Sequence, residues 1–162
     1  MGAGWVRLTY YHKKFLAHLI SHEIAFLIIG GQARVHYYGG TTEDLDLWLQ
    51  LLNGNDSNVH KAIVEWSAEF PWHTRFPIIE PFEIKPNTQI KFPDADVAIM
   101  NASGKTEDVP HSARIDILFG FDNLCFEEAF DASENAVFGT MNLKLVSREH
   151  LSVITMPTGT TG

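Results

Sequence analysis

The stretch Phe26-Leu-Ile-Ile-Gly-Gly-Gln-Ala-Arg-Val-His-Tyr-Tyr-Gly-Gly-Thr-Thr-Glu-Asp-Leu-Asp-Leu-Trp48 decides how this chain is read. An apolar run, Ala25 to Ile29, is closed by Gly30-Gly31, which predicts a buried strand ending in a tight turn. Gln32 to Tyr38 is predicted to be a short helix stopped by Gly39-Gly40. Asp44 to Leu51 alternates and reads as a second strand. Residues two apart in a strand share a face, so Asp44 and Asp46 project together while Leu45 and Leu47 turn to the opposite, buried side. Carboxylates that close repel unless a cation or solvent separates them. A hard divalent cation such as Mg2+, or Mn2+ in its place, is bound through one or two carboxylates plus substrate phosphates. Glycines between a strand and a helix let phosphates approach backbone N–H groups at the helix N-terminus. Both halves of the stretch therefore ask for one ligand, a metal-bound polyphosphate. Each half also has an ordinary explanation: a turn that is only a turn, and a solvated strand face.

Working outward, a third carboxylate joins the first two. Asp116 interrupts Ala113-Arg114-Ile115-Asp116-Ile117-Leu118, an otherwise apolar strand. Burying an ionised group there is costly unless it is paired or metal-bound, and a salt bridge to Arg114 on the same face is the alternative. Thr9 to Ile24 is predicted as an amphipathic helix, with Phe15, Leu16, Leu19 and Ile20 at helical spacing. Asp56 or Ser57 can cap a helix over Asn58 to Phe70. From Pro71 to Pro110 the chain carries six of its seven prolines, so short strands (Phe82–Lys85, Gln89–Phe92, Val97–Met100) are expected rather than helices. Ala113–Phe119 and Ala136–Val146 read as strands, and Ser147 with Glu149 starts a last helix. This order predicts an α+β fold, a mixed sheet flanked by helices, as one domain over residues 1–156 with a disordered tail at 157–162.

The totals agree with one ordinary globular domain: 162 residues, 45% hydrophobic and 20% charged. The net charge of −8 argues against broad nucleic-acid binding, which needs clustered Lys and Arg, yet leaves room for a phosphorylated ligand whose metal supplies positive charge. The single cysteine, Cys125, rules out an intramolecular disulfide and reads as a small core residue between Leu124 and Phe126. With no stretch of secretory or membrane-spanning type, a cytoplasmic location and no membrane partner are the expectation. His18 and His22 stand at i, i+4 but lack the His-Glu-x-x-His pattern, and surface histidines are the expectation. Trp48, Trp66, Trp72 and Phe76 are core candidates, although Trp48 by alternation shares the face of Asp44 and Asp46, where it could line the site or lie beneath a base.

Gly30-Gly31, Asp44-Leu45-Asp46 and the later Asp116 together resemble the DNA polymerase beta nucleotidyltransferase superfamily. The longer pattern of Gly30, Gly31, Ala33, Gly39, Thr42, Asp44 and Asp46 is similar to its small bacterial branch of abortive-infection toxins and minimal nucleotidyltransferases. The resemblance covers roughly Phe15 to Ile154. It implies metal-dependent transfer of a nucleoside monophosphate from an NTP to a hydroxyl acceptor on protein, RNA or a small molecule, with pyrophosphate released. By the same resemblance Asp44, Asp46 and Asp116 would hold the metal and carry catalysis, and Gly30, Gly31, Gln32 and Thr42 would bind the nucleotide. Two places depart from it. Gly40 stands where relatives carry an Arg, and after Leu151 the chain reads Ser-Val-Ile-Thr-Met-Pro where relatives continue with a Lys and another helix. A homodimer or a partner protein could supply what these lack. The alternative is a catalytically weak relative, serving as a nucleotide-binding or antitoxin-like subunit of a complex.

Overall fold

Four consecutive buried residues, Phe26–Ile29, form strand β1, and a run with no polar face must be covered on both sides. In the computed structural model, which describes residues 8–50, 55–69, 89–92, 98–100, 106–108, 114–121, 123–138 and 140–154, this strand lies inside a six-stranded sheet. Helix α1 (Tyr10–Ser21) precedes β1; α2 (Gly30–Tyr38), β2 (Leu45–Leu49) and α3 (Asn55–Ala68) follow it. Next come β3 (Gln89–Phe92), β4 (Ala98–Met100), β5 (Thr106–Asp108) and β6 (Ile115–Leu118). The chain closes with α4 (Phe126–Asp131), β7 (Glu134–Phe138), β8 (Met141–Leu145) and α5 (Arg148–Val153). The strand order is β3-β6-β2-β1-β8-β7, with β4 and β5 forming a separate pair. β1 runs antiparallel to β2 and parallel to β8, while β2 runs parallel to β6. The architecture is the expected α+β fold with a mixed sheet.

Local chemistry sets most boundaries. Thr9 caps α1, its hydroxyl accepting from the His12 N–H at 3.2 Å, and Ser147 caps α5 by accepting from the His150 N–H at 3.1 Å. Gly39 and Gly40, at φ +81° and +99°, end α2 in backbone that side chains resist. Two elements depart from the expectation: Ala136–Val146 is a hairpin of β7 and β8 with its turn at Thr140, and α3 opens at Asn55, so that Asp56 and Ser57 lie within it rather than capping it. Cys125 is exposed rather than buried, because as N-cap of α4 it turns outward and its Sγ donates to Glu127 Oε2 at 3.0 Å while Phe126 takes the core position. The strand expected at Phe82–Lys85, Trp72, Phe76 and the tail lie outside the described residues. No helix among the described residues is long and apolar enough to cross a membrane.

Helices α1 and α3 pack through Phe15 and Trp66, edge to face at 5.6 Å, and the Trp66 indole N–H donates to the Tyr11 carbonyl at 2.8 Å. At the rim of this seam His18 and His22 both reach Glu65, at 3.3 and 2.9 Å, and Lys14 reaches Glu69 at 3.5 Å. The i, i+4 histidines thus serve helix docking. Because these pairs are largely solvated, Glu65→Gln is expected to cost about 0.5 kcal/mol or less, read as a small fall in urea midpoint at unchanged slope.

Candidate functional site

The end of β1 and the start of β2 meet because the two strands are antiparallel: Ile29 is the partner of Asp46. On the other side of β2, Asp46 is the direct partner of Asp116 in the parallel pairing with β6. The sheet therefore sets two carboxylates from distant parts of the chain side by side. Both are half-buried between strands whose flanking Leu45, Leu47, Ile115 and Ile117 are fully buried.

The two glycines are explained by close approach. α2 begins directly at Gly30 with no side-chain cap from Ile29. The acceptor for its first turn comes instead from the neighbouring strand, as the Gly31 N–H points at Asp46 Oδ2 at 3.4 Å. A Cβ on Gly30 would stand 2.8 Å from Asp46 Cγ, and its φ of +63° is left-handed. A Cβ on Gly31 would stand 2.5 Å from Thr42 Oγ1. Gly30, Gly31, Thr42 and Asp46 thus form one tight cradle at the N-terminus of α2.

Asp44 lies one residue before β2 opens at Leu45, so it is placed by its backbone rather than by strand alternation. Its carbonyl accepts from Gln32 Nε2 at 3.0 Å. Gln32 is fully buried, and its side chain is directed inward to this loop rather than outward to a phosphate.

The electrostatics mark the pair as strained. Asp46 is pushed up to about 7, first by burial, then by the charge of Asp116 and a hydrogen bond to it, with Asp44 adding to the rise. The Gly31 N–H pulls the other way and loses. A carboxylate pair that holds a proton near neutrality is a site where a cation could replace that proton. Hard oxygen donors of this kind fit Mg2+ or Mn2+. Among the described residues, no three His, Cys, Asp or Glu side chains already stand as a metal-ligand set. The nucleus is the pair, and Asp44 acts on it through its field.

Trp48 shares the face of Asp46 but lines no opening. It is 1% exposed and packs edge-on against Phe121 at 4.8 Å and Phe126 at 5.3 Å. Its role is the core beneath the site. His12 is the residue that sequence reasoning missed. It is fully buried on α1, its Nε2 lies 2.9 Å from the Arg114 carbonyl, and burial drives its pKa down to about 4. Two signals were available: His12 falls on the apolar stripe of Phe15, Leu16 and Leu19, and it occupies the Glu/Gln place of a capping box opened by Thr9.

No family model, no curated protein and no solved structure matches the chain.

Proposed function

We propose that the protein is a divalent-metal-dependent nucleotidyltransferase that moves a nucleoside monophosphate from an NTP to a hydroxyl acceptor. One observation carries this reading: Asp46 and Asp116 face each other on adjacent parallel strands, and the Gly30-Gly31 start of α2 is packed against Asp46 and Thr42. A ligand that brings its own cations and its own anionic oxygens satisfies both features at once. Asp46 and Asp116 would hold Mg2+ or Mn2+, with Asp44 as a third carboxylate. The metal, when bound, supplies charge neutralisation at the phosphates. The N-terminus of α2 would face the same phosphates, the Gly31 N–H exchanging Asp46 Oδ2 for a phosphate oxygen. The acceptor oxygen bonds to the α-phosphorus as the bond from that phosphorus to pyrophosphate breaks, and the hydroxyl proton passes to Asp116 as general base.

The reading predicts that Mg2+ or Mn2+ with one of ATP, GTP, CTP or UTP raises the melting temperature. At a hundredfold excess over Kd the gain is about 2.7 kcal/mol. Labelled NTP incubated with protein and cell lysate should then yield a metal-dependent nucleotidylated species. If no NTP–metal pair shifts the melt, the reading fails.

Gly40 favours a second reading. It stands where the resembled family carries a cation, its φ is +99°, and the space around it is open. A chain that grips phosphates without that cation would bind nucleotide weakly and act as a subunit of a complex. That version predicts a thermal shift with no pyrophosphate release and a partner that co-purifies.

A further inference from the structure

We propose that His12 is a positioning residue for the carboxylate pair: from α1 it grips the Arg114 carbonyl, holds β6 in register with β2, and so keeps Asp116 opposite Asp46. What the pair is for rests on the function proposed above; the positioning itself rests on geometry. β2 and β6 are parallel and distant in sequence, so no hairpin turn fixes how they align. A one-residue slip would place Ile115 or Ile117 against Asp46 and send Asp116 to the other face. A two-residue slip keeps the apolar alternation intact and still separates the carboxylates. Burial of isoleucines alone therefore does not select the observed register.

The Arg114 carbonyl sits at the start of β6, one residue before Ile115, the partner of Leu45. It accepts from two elements: the Leu45 N–H at 3.4 Å and His12 Nε2 at 2.9 Å. The partners dictate the tautomer of His12. Thr9 N–H can only donate, and it points at Nδ1 at 3.4 Å; the Arg114 carbonyl can only accept, so Nε2 carries the hydrogen. The ring is thus a two-ended strut between the N-cap of α1 and the mouth of the β2–β6 pair. Asp44 and Asp46 flank Leu45 at the start of β2, and Asp116 lies two residues beyond Arg114 on β6, so all three carboxylates hang from this junction.

Two variants separate positioning from folding. His12→Gln can accept from Thr9 through its carbonyl oxygen and donate to Arg114 through its amide. His12→Leu stays apolar and buried but does neither. The first measurement is amide exchange at Leu45 relative to Val146, whose N–H donates to the Ile28 carbonyl at 3.0 Å elsewhere in the same sheet. In His12→Leu, Leu45 should exchange about tenfold faster with Val146 little changed, and His12→Gln should restore it. Equal acceleration at both amides, or at neither, overturns the proposal. The second measurement is binding of Mn2+ alone, by paramagnetic relaxation: about tenfold weaker in His12→Leu and restored in His12→Gln. If the native protein takes up no Mn2+, the metal reading falls while the exchange ratio still decides the role of His12. Should His12→Leu fail to fold, His12→Gln decides alone, since a loss of Leu45 protection of about tenfold in that variant also overturns the proposal.

Discussion

Exchanging Asp46 for asparagine is expected to make the protein more stable at pH 8 and to abolish its response to metal and nucleotide. The native carboxyl is pushed up to about 7 from 3.8, chiefly by burial and then by Asp116. A raised folded-state pKa means that protonation stabilises the fold. That contribution is complete below about pH 4 and is lost as the pH rises through about 7. At pH 8 the native protein therefore holds two neighbouring carboxylates in their repelling, half-desolvated form. Asparagine keeps the size of the side chain, still accepts from the Gly31 N–H through its oxygen, and carries no charge. The gain is on the order of 2 kcal/mol, or roughly 5 °C in melting temperature. His12 works in the opposite sense: its lowered pKa gives stability present above 6.5 and lost as the pH falls through about 4. Both proteins contain His12, so it cancels in their difference. Melting native and variant from pH 4 to pH 8 should show a gap that is small at the acid end and widest above pH 7. A native protein that is the more stable of the two at pH 8 would contradict the repulsion. Under the proposed function the stabilised variant is also the inert one, a trade that local active-site strain predicts.

Gly30→Ala should be the most damaging small substitution at the site. Left-handed backbone costs an L side chain about 1–2 kcal/mol. Overlap with the Asp46 carboxyl adds about 1–3 kcal/mol as the strand or the helix gives way. A total on the order of 3 kcal/mol would appear as a lower urea midpoint, together with loss of any Mg2+–NTP thermal shift. Gly40→Ala is the matched control. Its φ is also positive, at +99°, but nothing stands within 4 Å of the new methyl group. It should lose only the backbone term, about 1–2 kcal/mol. Equal losses at the two positions would refute close approach as the reason for Gly30.

Much of the fold was legible because it is set by neighbours in the chain. The apolar run before Gly30, the alternation after Asp44, the Ser147 cap and the isoleucines around Asp116 all act over a few residues. The rest was decided by contacts outside the element. Trp48 was both a core candidate and a neighbour of the aspartates' face, and Phe121 and Phe126 close that face and make it core. Ala136–Val146 has continuous strand character, and only its folding back at Thr140 makes it a hairpin. Gln32 carries no sequence mark that its amide would turn inward to the Asp44 carbonyl.

The sequence by itself determined where the main apolar strands run, that Asp46 turns away from the buried Leu45 and Leu47, and that a Gly30-Gly31 turn joins β1 to a helix. It also supplied three acidic side chains on otherwise apolar or alternating strands. Only the tertiary structure decided that β6 lies beside β2, that Asp116 faces Asp46, and that His12 anchors the junction. The physical reason is that a local pattern fixes the period of an element but not its partner. The register of two parallel strands is set by contacts between residues far apart in the chain, and a pair of repelling carboxylates exists only once that register is chosen.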